Sequence, residues 1–130
     1  MKVLITGASS GIGRDMAREF AERKYDLVVV ARDEKRLNEL KTELEVKYKI
    51  NVKTVVKDLS DEENCISLYE ENKDIDILVN NAGFGVFGEF TKTDLQKELN
   101  LIKTNDTCCC LDHHFCLFHC VVRYFLYSRT

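Results

Sequence analysis

The apolar run Val3-Leu4-Ile5-Thr6 is followed at once by Gly7-Ala8-Ser9-Ser10-Gly11-Ile12-Gly13, and the chain then takes up helical spacing. A strand that turns directly into a helix across three glycines leaves few choices of fold. Gly7 permits the tight turn, Gly11 lets backbone amides approach a pyrophosphate, and Gly13 allows the helix to pack closely on the strand. The helix N-terminus then faces the anion, where unpaired amides and the helix dipole favour negative charge. Ser9, Ser10 and Ile12 lie in the same loop and share its expected contact with a dinucleotide.

Further along, three more runs rich in β-branched residues appear, Leu27–Ala31, Val52–Val56 and Ile75–Asn80. With Val3–Thr6 they are mostly continuous rather than alternating, as suits strands buried on both faces. Between them, helical spacing links Ile12, Met16 and Phe20, then Leu37, Leu40, Leu44 and Tyr48, and more weakly Ile66 and Tyr69. Ser60 and Asp61 are candidate N-caps, and Asn72 marks a helix C-terminus. The pattern βαβαβαβ predicts an α/β fold, a parallel sheet of four strands in the order 3-2-1-4 with helices on both faces.

The 130 residues suffice for one domain, and a net charge of −3 gives no basic excess to attract nucleic acid. The N-terminus enters the first strand without a signal-peptide pattern, so the cytoplasm is the expected compartment. The apolar stretch 115–127 is interrupted by His119 and Arg123 and falls short of the roughly 20 residues of a membrane span, so no membrane partner is expected.

Thr-Gly-x-x-x-Gly-x-Gly with two serines inside resembles the glycine loop of the short-chain dehydrogenase/reductase family. Three further positions agree. Arg32 follows the second strand, where the fold meets the adenosine ribose; a planar donor fork there suits a 2′-phosphate and points to NADP rather than NAD. Asp33 beside it is a competing partner for the guanidinium, and that loop carries no second basic residue. Asp58-Leu59 matches the family position at which a carboxylate accepts from the adenine amino group while the next amide holds the ring. Asn80-Asn81-Ala82-Gly83 matches the family's Asn-Asn-Ala-Gly motif, which stabilises the sheet and lines the cofactor ribose. The resemblance covers residues 1–105 and implies a Rossmann-like fold, a dinucleotide cofactor, and reversible hydride transfer with a small carbonyl or alcohol substrate.

Family chemistry uses a Tyr as general acid/base, a Lys four residues on, a Ser and an Asn. A tyrosine with a pKa of about 10 is a poor base at neutral pH unless a cation stabilises the phenolate. Of this set only Asn105 has a counterpart here. Tyr69-Glu-Glu-Asn-Lys73 has the literal spacing, but it precedes the Asn-Asn-Ala-Gly motif, and Tyr69 reads as core-facing. The expectation is the cofactor half of an oxidoreductase, truncated and inactive by itself. The alternatives are a non-catalytic NADP-binding module and a scaffold with a metal-binding tail.

That tail, residues 106–130, holds five of the six cysteines and all three histidines, with no Lys, Glu, Gly, Ala or Ile. Its Cys and His lack the paired, loop-separated spacing of structural zinc sites, so no metal site is expected. A one-base shift of reading frame near codon 105 accounts better for the change, because Cys codons read one base later encode Val or Ala. On this reading the tail lies outside the native fold, and the fourth strand is left as an aggregation-prone edge.

Overall fold

The computed structural model describes residues 1–82, Gln96, Leu99 and residues 120–123. In chain order the elements are β1 (Lys2–Thr6), α1 (Gly11–Glu22), β2 (Asp26–Ala31), α2 (Glu34–Tyr48), β3 (Val52–Val56), α3 (Glu62–Glu71), β4 (Ile77–Asn80) and β5 (Cys120–Arg123). The sheet runs β3-β2-β1-β4-β5. Every neighbouring pair is parallel, with Leu4 opposite Val28 on one side and Leu78 on the other. The first four strands therefore take the order 3-2-1-4 that the alternating pattern predicts.

Strands β1 and β2 are continuous apolar runs because both of their faces are covered. Val3, Ile5, Leu27, Val29 and Ala31 pack on one side with Leu37, Leu40 and Leu44 of α2 and with Ala17 and Ala21 of α1. Leu4, Val28 and Val30 pack on the other with Cys65 and Leu68 of α3 and with Leu78 of β4. At the outer edge, β3 keeps Val52 and Val55 buried while Lys53 and Val56 are exposed. Among the described residues it pairs on one side only, and its charged residue blunts that edge.

Two helical stripes differ from the sequence expectation. In α1 the fully buried line is Gly13, Ala17 and Ala21, while Met16 and Phe20 flank it half-buried. Small residues at every fourth position bring the helix axis close to the sheet, and the larger side chains fill the margins; Phe20 meets Tyr25 edge-on at 5.6 Å. In α3 Ile66 is 54% exposed, and Cys65 and Leu68 face the core in its place. Tyr69 packs half-buried against that core, as expected, with Lys73 over its ring. Asp61 caps α3 by accepting from the Glu63 amide at 2.9 Å, and Asn72 closes the helix.

Outside β4 the sheet gains a strand that the four-strand expectation omits. Cys120 to Arg123 pair in register with Ile77 to Asn80, so β4 is an interior strand rather than an edge. The segment Cys-Val-Val has the apolar, β-branched character that interior parallel strands require.

On the helical side, α1 and α2 are joined by Arg18, which donates to both carboxylate oxygens of Glu43 at 2.8 and 3.2 Å, with Arg14 at 3.7 Å. The Arg18 hydrogen bonds hold the Glu43 carboxyl below its ordinary value against an opposing effect of burial. A lowered folded-state pKa contributes stability above the unfolded value of about 4.3 and loses it as the pH falls through the folded value. Both side chains are more than a third exposed, so water screens the pair. Urea unfolding of Glu43→Gln is expected to show a loss of about 1 kcal/mol or less at pH 7, shrinking toward zero on acidification below pH 4.

Candidate cofactor-binding site

The C-terminal ends of β1, β2, β3 and β4 open onto a cleft of about 800 Å³. It is lined by Gly7, Ser9, Ser10, Gly11 and Ile12 from the first turn, by Arg32 and Asp33 after β2, by Asp58 and Leu59 after β3, and by Asn81 and Ala82 after β4. Four stretches far apart in sequence thus meet at one rim. Gly13 stands behind the cleft, whereas Gly83 and Asn105 lie outside the described residues.

Local chemistry explains why the first turn takes this shape. Gly7 and Gly11 both have positive φ, +66° and +56°, a region that L side chains enter only at a cost. A methyl group on Gly13 would overlap the Gly7 carbonyl and the Asn81 amide nitrogen, so α1 starts in direct contact with the turn that precedes it. A methyl group on Gly11 would meet open space.

Thr6 closes the floor. Its buried hydroxyl donates to Asn80 Oδ1 at 3.2 Å and accepts from the amides of Asn81 and Ala82 at 3.0 and 2.9 Å. The Asn81 side chain donates to the Gly7 carbonyl at 3.3 Å. One threonine and one asparagine therefore fasten the end of β4 to the glycine turn. The sequence reading held Thr6 as the first residue of the Thr-Gly-x-x-x-Gly-x-Gly motif but gave its hydroxyl no role.

Helices α1, α2 and α3 begin differently. Asp33 caps α2 through the Arg36 amide at 3.0 Å, and Asp61 caps α3. Ser10 stands at the N-cap of α1 with no side-chain cap bond, and the first turn of α1 carries no acidic residue. Ser10, Gly11 and Ile12 line the cleft where the helix starts, and no acidic side chain of the first turn stands there to satisfy its leading amides, an arrangement that attracts an anion.

Charge around the rim is uneven. Arg32 is exposed and forms no ion pair with any described residue. Asp33, expected to compete for it, turns instead to Arg36, whose Nε lies 3.5 Å from its second oxygen. Arg36 and Lys57 are the charged lining residues that sequence reasoning missed, together with the apolar Val30 and Ala31. The ammonium of Lys57 is taken by the Ser67 hydroxyl and by Glu71 at 3.2 Å. The Asp58 carboxylate accepts from the Ser60 amide at 3.0 Å and the Ser60 hydroxyl at 2.8 Å. Those two bonds, opposed by burial and helped by the positive charge of Arg32, hold its carboxyl below the ordinary range. Both bonds end on Oδ1, so Oδ2 keeps its acceptor capacity.

No described helix is long and apolar enough to cross a membrane, and no three His, Cys, Asp or Glu side chains among the described residues are placed to share a metal ion. The Cys and His of the tail fall outside the described side chains.

A parallel sheet that reverses its order between β1 and β4, with a glycine turn feeding an uncapped helix at that point, defines a dinucleotide-binding α/β fold. The chain belongs to the short chain dehydrogenase family, whose model matches residues 1–114. It is 37% identical over 110 residues to the very-long-chain 3-oxoacyl-CoA reductase of Candida albicans, a match covering 80% of this chain and 32% of that protein. Among solved structures, a short-chain dehydrogenase from Sphingobium yanoikuyae in complex with NADPH superposes with a TM-score of 0.83 at 33% identity, covering 94% of this chain and 52% of that one. The bulky-bulky ketone specific alcohol dehydrogenase from Comamonas testosteroni gives 0.81 at 36% identity, covering 87% and 47%. The chain spans about a third of that curated relative and about half of these structures.

Proposed function

We propose that residues 1–105 form an NADP-preferring cofactor site of a short chain oxidoreductase whose chemistry is reversible hydride transfer between the nicotinamide and a small carbonyl or alcohol. The observation that carries this reading is the uncapped N-terminus of α1 opening on the same cleft as Arg32, which has no ion pair among the described residues. In this reading Ser9, Ser10, Gly11 and Ile12 hold the pyrophosphate, and Arg32 takes the 2′-phosphate. Asp58 and the Leu59 amide address the adenine, and Asn81, Ala82 and Gly83 line the ribose. Asn105 is the single member of the family's catalytic set within these 130 residues. A bound nicotinamide would supply or accept the hydride. The protein's part here is to bind and orient the dinucleotide, and after the Asn-Asn-Ala-Gly motif the sequence holds no Tyr-x-x-x-Lys and one serine, Ser128, which follows both tyrosines rather than preceding them. The 130-residue chain is therefore expected to bind NADPH without turning it over.

Titration followed by nicotinamide fluorescence tests this directly. Saturable NADPH binding with no loss of absorbance at 340 nm over a panel of ketones supports it; absence of saturable binding defeats it. Arg32→Leu is expected to weaken NADPH about 10- to 100-fold while changing NADH little, because charge-assisted bonds to the 2′-phosphate disappear.

A further inference from the structure

The start of α2 presents three charges to the cleft within five residues, Arg32, Asp33 and Arg36. Asp33 does two separable things there. Its Oδ1 accepts from the Arg36 amide at 3.0 Å and so caps the helix, and its Oδ2 faces the Arg36 guanidinium at 3.5 Å. Capping alone does not require a charge, since Asn and Ser serve as well at an N-cap. The extra negative charge gives α2 only a half-exposed pair with Arg36 and a favourable place at the helix N-terminus, both modest effects, yet it stands beside the one lining arginine that pairs with no described residue. A dianionic group approaching Arg32 meets repulsion from this carboxylate, and it finds the second arginine already engaged. The Asp33–Arg36 contact is long, and both side chains are about half exposed, so the guanidinium is free to change partner.

We infer that Asp33 is a specificity-determining residue that limits discrimination for a 2′-phosphate over a 2′-hydroxyl, by opposing the phosphate and occupying Arg36. The inference rests on the NADP reading above and adds a residue to it. Removing the charge while keeping the cap releases Arg36 as a second cation for the phosphate.

The test compares NADPH and NADH dissociation constants for the full chain, Asp33→Asn, Asp33→Ser, Arg36→Gln and the Asp33→Asn/Arg36→Gln pair. Circular dichroism confirms that α2 is retained. Asp33→Asn is expected to tighten NADPH about 3- to 10-fold and leave NADH within about twofold. Adding Arg36→Gln should remove the part of that gain that Arg36 supplies and leave the part due to relieved repulsion, whereas Arg36→Gln alone should cost less, because the arginine is masked in the parent chain. An unchanged NADPH-to-NADH ratio in both the Asn and Ser variants overturns the inference. So does an equal change for both nucleotides, which would mark a purely structural role. A parent chain that binds both nucleotides equally, with the ratio still rising in Asp33→Asn, refutes the NADP preference but not the role of Asp33. A parent chain that binds neither removes the cofactor site and this inference with it.

Discussion

Gly13→Ala is expected to destabilise the chain by about 3 kcal/mol and to weaken NADPH binding about 100-fold. The added methyl would overlap the Gly7 carbonyl, which is backbone and has no rotamer through which to escape, and it would also meet the Asn81 side chain. The only relief is to push the whole of α1 off β1, and the buried Ala17 and Ala21 would then lose their close seating on the sheet. Overpacking of this kind typically costs about 1–3 kcal/mol in a well-packed core, and a rigid backbone neighbour puts Gly13 at the upper end. Displacing α1 also swings its leading amides away from the anion. Gly11→Ala is the control: its methyl would point into open space, so only the strain of a positive φ applies, about 1 kcal/mol. Urea denaturation and NADPH fluorescence of both variants decide the matter. If Gly13→Ala were no worse than Gly11→Ala, close helix–turn contact would not be what requires a glycine.

The second large effect is expected at Thr6. Thr6→Val preserves volume and β-branching but deletes the hydroxyl that accepts from the amides of Asn81 and Ala82 and donates to Asn80 Oδ1. Two donors and one acceptor lose their partner at a position that is itself fully buried. Asn81 and Ala82 are half-buried, so water recovers part of the loss, and the expected cost is about 2–3 kcal/mol by chemical denaturation. Thr6→Ser, which keeps the oxygen and drops a methyl, should cost about 1 kcal/mol. Equal losses in the two variants would mean that packing, rather than the hydroxyl, holds β4 to the glycine turn.

These two positions show where sequence reading succeeded and where it stopped. The glycines were legible because each answers a local demand, a positive φ or a close approach, that no other residue meets as well. Strands β1 and β2 were legible because burial on both faces forces a continuous apolar run, and Asp61 and Asn72 because caps act within one turn. The role of Thr6 was not legible, since its partners lie more than 70 residues away and a threonine at a strand end has many ordinary uses. The true stripe of α1 was hidden because Gly13, Ala17 and Ala21 are small, and periodicity was judged on the large side chains beside them. Ile66 misled for the opposite reason: it is apolar and helical, but α3 turns Cys65 and Leu68 inward. Asp33 was weighed against Arg32 as its sequence neighbour, whereas the capping geometry of α2 directs it to Arg36. The fifth strand was missed because the composition of residues 106–130 argued against any place in the sheet, and pairing with β4 depends on four residues only.

The uncapped start of α1 has a thermodynamic side. A helix that lacks its own cap is about 1 kcal/mol short of the stability the same helix would have with one. In the proposed reading the missing partner is the ligand itself, so folding and binding share the same amides. Whatever fills the cleft then stabilises the first turn of α1 in proportion to its occupancy, as RT ln(1 + [L]/Kd) requires. Asp at position 10 would finish the helix without a ligand and repel the phosphate in the same stroke. The Ser10 cap, silent toward its own helix, leaves that stability in the hands of the cofactor concentration.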